Sequence, residues 1–189
     1  MSKRTDILNT ALALFNAYGY IAVGVDRIRD EANASKMTLY KYFPSKEALI
    51  KEVLTLRHAQ LEEAMTQAMA MATAPKEQLR RLFQWHRYWF SQPEFHGCMF
   101  IKARDEHPEH TAIIDAARQH KRWLTALIAQ RLGAIGAPNS EQNATALCMQ
   151  LDGAITHAAL FNAPQSADHA WQVACCLLGE TPDALGSFE

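Results

Sequence analysis

Apolar residues recur at intervals of three and four along nearly the whole chain, and no stretch alternates convincingly as a half-buried strand does. Ile7, Leu8, Ala11, Leu12, Phe15 and Tyr18 follow the period of one helix face, and Gly19 stops the run. Pro44 ends another run, because the residue before a proline avoids the helical region, and Ser45 opens the next. Leu49, Val53, Leu61, Met65, Ala68 and Ala72 keep one face of that segment apolar over roughly 40 Å. The spacing predicts an all-α chain of about nine helices, near 4–18, 25–32, 36–42, 45–72, 75–92, 97–106, 108–133, 140–162 and 167–178, with Pro108 at the first position of its helix.

A chain of 189 residues, 49% apolar and 21% charged, holds a core without disulfides or a structural metal. Cys98, Cys148, Cys175 and Cys176 form no CxxC pair and read as free thiols of a reducing cytosol. The uncharged stretch Ile7 to Val25 is interrupted by Asn9, Thr10 and Asn16 and broken by Gly19, so it reads neither as a signal peptide nor as a membrane span. A cytoplasmic location with no membrane partner is the expectation. Net charge is −1, but it is uneven. Residues 1–57 carry nine Lys and Arg against six Asp and Glu, whereas residues 58–189 carry ten against fourteen. A mildly basic head on an acidic body is a hint of a polyanion partner for the head.

Residues 25–43 have the form helix, tight turn, helix. Val25, Ile28, Ala32, Ala34, Leu39 and Phe43 are spaced to dock both helices on the first, and Asn33 suits the left-handed residue of the turn. Lys36, Thr38, Tyr40, Lys41 and Tyr42 are left facing outward on a two-turn helix. Such a helix fits a DNA major groove, and its side chains donate to phosphates and base edges. An ordinary three-helix core with a solvated polar face shares the same spacing.

The string Ala34-Ser35-Lys36-Met37-Thr38-Leu39-Tyr40-Lys41-Tyr42-Phe43-Pro44-Ser45-Lys46-Glu47-Ala48-Leu49 resembles the signature of the TetR family of bacterial transcriptional repressors. The resemblance covers about residues 4–50. It implies a helix-turn-helix DNA-binding domain over 1–48 and a helical ligand-binding and dimerisation domain over 49–189. It also implies a homodimer through the helices near 140–162 and 167–178, double-stranded DNA as partner, and release by a small-molecule effector. Residue by residue, it puts Lys36, Thr38, Tyr40 and Lys41 at the DNA surface and Lys46 on a phosphate. Three positions depart from the pattern: Gly24 replaces a capping Ser or Thr, Asn33 replaces the turn glycine, and Met37 replaces a small residue. Met37 either touches a thymine methyl or packs.

The effector pocket is argued from composition. Eight of the 17 aromatic residues lie within 83–123, five of them in the eight positions from Phe83 to Phe90. Core packing accounts for most of these; a cavity lined by Trp85, Trp89, Phe100, Trp123 and Met149, with Met65 and Met69, would suit an apolar or aromatic ligand. Asp152 and His157 either orient that ligand or are satisfied partners at the dimer seam. Cys98 is either an exposed redox sensor or a buried inert thiol. The His107 to His110 segment reads as a solvated turn rather than a metal site, and Glu62-Glu63 and Asp105-Glu106 as solubilising pairs on exposed faces. No GxSxG, Walker loop, GxGxxG or HExxH occurs, so neither an enzyme nor a cofactor is expected. The alternative is a helical scaffold whose head docks another protein.

Overall fold

In the computed structural model, which describes residues 2–186 and 188, the periodic segments form nine α-helices and no strand among the described residues. They are α1 (Lys3–Tyr18), α2 (Val25–Glu31), α3 (Lys36–Tyr42), α4 (Lys46–Ala70), α5 (Pro75–Phe90), α6 (Met99–Glu106), α7 (Thr111–Ile135), α8 (Ser140–Phe161) and α9 (Ser166–Leu177). Most ends fall within two residues of the sequence expectation. Pro108 is the exception, since it lies in a turn and α7 begins at Thr111. The proline disfavours helical backbone at His107, so α6 closes at Glu106, and the next helix starts where the His110 carbonyl accepts from Ile113 and Ile114, both at 3.1 Å.

The chain divides into two compact units, Met1–Gln60 with Met99–His120, and Leu61–Cys98 with Lys121–Glu189. This differs from a boundary at residue 48. The reason is the anchoring of Tyr20, whose fully buried ring packs on Phe15 at 4.9 Å and whose hydroxyl donates to the Met99 carbonyl at 3.0 Å. That bond fastens α6 to the N-terminal helices.

In the first unit α1 packs on α2 and α3, burying Ile7, Ala11, Phe15, Val23, Ile28, Leu39 and Phe43. In the second, α8 packs on α9 and α5 on both, around Leu82, Phe83, Leu147, Leu151, Ala170 and Trp171. The segment after α9 is tied to this core: Leu185 is buried, its carbonyl accepts from Gln84 at 2.7 Å, and Asp183 accepts from the Trp171 indole at 2.8 Å. Among the described residues no helix is long and apolar enough to cross a membrane.

Candidate nucleic-acid interface

The turn between α2 and α3 is built by local chemistry. Asn33 takes φ 48°, a left-handed conformation that asparagine tolerates, and its N–H donates to Asp30 O at 3.0 Å. Ser35 then caps α3, accepting from the Thr38 N–H at 3.0 Å, whereas Gly24 opens α2 without a side-chain cap. Leu39 and Phe43 point into the core, each 2% exposed or less. The rest of α3 faces outward: Lys36 and Lys41 are exposed, Tyr40 and Tyr42 are 40% and 38% exposed, and Met37 is 81% exposed. Thr38 departs from this pattern. It is half-buried, and its hydroxyl lies 2.8 Å from Ser35 Oγ, so it belongs partly to the cap.

Charge is distributed unequally between these two seven-residue helices. In α2, Arg27 pairs with Glu31 at 2.8 Å and stacks over Tyr18 at 4.3 Å, and Arg29 pairs with Asp26 at 2.6 Å and Asp30 at 2.7 Å. In α3, Lys36 and Lys41 make no ion pair with any described residue. Only α3 therefore offers uncompensated cations. Lys46, at the start of α4, is half-buried, and its ammonium reaches the Ile21 carbonyl at 3.5 Å. Burial lowers its pKa, against the opposing pull of Glu47 and Glu106.

Sequence reasoning missed Glu106. It is not a merely solubilising carboxylate, because its Oε2 accepts from the Tyr20 N–H at 2.8 Å and the Ile21 N–H at 2.6 Å. Gly19 makes room for it: φ is +82°, and a Cβ there would lie 2.8 Å from Glu106 Oε1. The loop between α1 and α2 is thus held at its amides by Glu106 and at a carbonyl by Lys46. A half-buried acid 86 residues along the chain carries no local signal for this contact.

The expected effector residues are less well gathered. Met65, Met69 and Trp85 are buried in the second unit, Trp85 stacks on Trp89 with centroids 5.5 Å apart, and Trp89 and Trp123 are half-buried. His86 meets the Trp85 and Trp89 rings edge-on, with centroids 5.1 and 6.1 Å away. Its Nδ1–H donates to Leu82 O at 2.8 Å, and burial lowers its pKa to about 4. Phe100 belongs instead to the first unit, stacked on His120 at 3.9 Å. Met149 does not line the interior, since it is 69% exposed. The buried stripe of α8 runs through Leu147, Cys148 and Leu151, and a residue two places from each leucine is turned to the opposite face. Asp152 is ion-paired with Lys121, and the exposed His157 lies 2.9 Å from Ser166 Oγ through Nδ1. Cys98 is half-exposed, Cys148 and Cys175 are buried and Cys176 is exposed. No group of three or more His, Cys, Asp or Glu among the described residues is placed to hold a metal ion.

Residues 7–53, which contain this turn, its two helices and Lys46, match the family model described as bacterial regulatory proteins, tetR family. The N-terminal helices are thus of the TetR type. It is 37% identical over 79 residues to the uncharacterized HTH-type transcriptional regulator YxaF of Bacillus subtilis (strain 168), an alignment covering 41% of this chain and 41% of that protein. The chain thus spans less than half the length of the curated relatives it matches. SCO4454, a TetR-family transcriptional regulator from Streptomyces coelicolor, superposes with a TM-score of 0.87 and 27% identity over 96% of each chain. Escherichia coli NemR in its reduced form gives a TM-score of 0.82 at 22% identity, over 93% of this chain and 97% of that one, a likeness of fold alone.

Proposed function

We propose that this chain is a TetR-family, sequence-specific DNA-binding regulator: a homodimeric, cytoplasmic repressor of a palindromic operator, released by a small apolar or aromatic effector. The observation that carries the reading is the surface of α3, where Lys36, Tyr40, Lys41 and Tyr42 are exposed and both cations are unpaired. One such helix contacts few bases, so a second copy is needed to address a longer site. Supporting the dimer, α8 leaves Met149 69%, Leu160 72% and Phe161 66% exposed, and α9 leaves Val173 39% exposed. A two-fold axis would let this face cover itself. For the effector, the buried Met65, Met69 and Trp85 and the half-buried Trp89 and Trp123 are adaptable apolar side chains of the second unit. A ligand that prefers the conformation with the heads wrongly spread weakens operator binding by its differential affinity, typically about 1–3 kcal/mol.

The test is selection of bound fragments from random duplex DNA, followed by binding at graded salt. Neutralising Z phosphates gives a slope of log affinity on log salt of about −0.9Z, so Lys36→Ala or Lys41→Ala, each removing one phosphate contact per head, should flatten the slope of a dimer by about two. Lys46→Ala should weaken all sequences alike. A head that docks a protein instead would show a shallow slope unaltered by these changes.

A second reading concerns Cys98, which is half-exposed in the segment before α6. There it is suited to alkylation by an electrophile, its sulfur forming the new S–C bond as the thiol proton leaves. N-ethylmaleimide should then weaken duplex binding by the wild type and leave Cys98→Ser unaffected.

A further inference from the structure

Among the described residues, Met37 is the most exposed large apolar side chain, at 81%, and it is the second residue of α3. It does not pack against its own chain, which decides the alternative that its sequence position leaves open. It shares a face with Tyr40 and Lys41, three and four residues on, and adjoins Lys36. Every other outward residue of that face is a hydrogen-bond donor. Thr38, the remaining candidate for reading a base, is half-buried with its hydroxyl at the Ser35 cap.

A DNA major groove presents donors and acceptors on every base pair, but one apolar group only, the C5-methyl of thymine. Lysines and tyrosines suit phosphates and base acceptors; a thioether does not. Methionine is unbranched and has three rotatable bonds, so it adapts to a methyl whose depth in the groove is fixed by the flanking contacts. We infer that Met37 is a specificity-determining residue that reads a thymine methyl in each operator half-site. The inference rests on the DNA-binding reading above.

Deoxyuridine differs from thymidine by that methyl alone, which makes the test atomic. Thymines of the selected duplex are replaced by deoxyuridine one symmetry-related pair at a time, and affinity is measured for the wild type, Met37→Ala and Met37→Leu. For the wild type, one pair should weaken binding by about 4-fold per half-site, the loss expected for uncovering one methyl-sized group. Met37→Ala should bind thymine and deoxyuridine duplexes alike while keeping the salt slope of the wild type. Met37→Leu, which restores an apolar side chain of similar size, should regain discrimination. Thermal melting should be unchanged in both variants, because the side chain is exposed. Tight binding that no deoxyuridine pair alters, or a deoxyuridine penalty that survives in Met37→Ala, would overturn the assignment of Met37 and leave the DNA reading standing. A chain that retains no duplex at low ionic strength would overturn both.

Discussion

The cations of α3 and most of those in the second unit have opposite fates. In the second unit, Lys121 is paired with Asp152, Lys76 with Glu180, and Arg87 with Asp168 at 3.3 Å, while Arg80 holds the Leu185 and Ala184 carbonyls at 3.2 and 2.6 Å. In the first unit, α2 resembles this pattern, and α3 breaks it by leaving Lys36 and Lys41 uncompensated. Counting charges along the chain finds a head only slightly basic. Counting charges still available to a partner finds two on the seven residues of α3, the helix that also carries exposed tyrosines and methionine. An unpaired cation can trade its counterions for a phosphate, whereas a paired one must first lose its carboxylate.

The largest way to break the contrast is to remove the platform under α3. Phe43→Ala, at a ring 1% exposed, should cost about 3–5 kcal/mol of stability and abolish duplex binding. All four tryptophans, Trp85, Trp89, Trp123 and Trp171, belong to the second unit, so their fluorescence reports how far that loss stays in the head. Acid should act on the second unit instead. His86 binds its proton near pH 4 when folded and near 6.5 when unfolded, so the unfolded state gains protons first and stability falls as pH drops from about 6.5 to 4. The loss is about 3 kcal/mol and levels off below pH 4. Urea unfolding followed by tryptophan fluorescence should show it, and His86→Gln should flatten the pH profile.

Glu106→Ala should cost about 2 kcal/mol, the range for hydrogen bonds to a charged acceptor, and speed hydrogen exchange at the Tyr20 and Ile21 amides. Unchanged exchange there would show that another group holds the loop. Ser35→Ala should cost about 1 kcal/mol by uncapping α3, read as a lower melting temperature. The smallest change sharpens the comparison most. Glu31→Gln should alter stability by only about 0.3 kcal/mol, yet it frees Arg27 and so should steepen the salt dependence of non-specific duplex binding.

The helices were legible because burial imposes a 3.6-residue period that flanking residues punctuate. Gly19, Asn33, Ser35 and Pro44 mark their boundaries through chemistry confined to a few neighbours. The outward Lys36, Tyr40, Lys41 and Tyr42 of α3 followed from the same period, whereas Thr38 did not. What did not follow was any contact made at a distance. Glu106 reads locally as one of two acids at the end of a helix, and Met149 as one more apolar residue on α8. Their roles depend on which backbone or face the fold brings opposite them.

The sequence by itself therefore determined the all-α architecture, the helix-turn-helix and the residue types presented by α3, since each depends on bonds and periodicities spanning a handful of positions. Only the tertiary structure decided that α6 fastens the loop between α1 and α2, that Thr38 is turned toward its cap, and that Met37 stands clear of the chain. It decided too which cations stay unpaired, because pairing is a matter of distance in space, and neither composition nor spacing measures it.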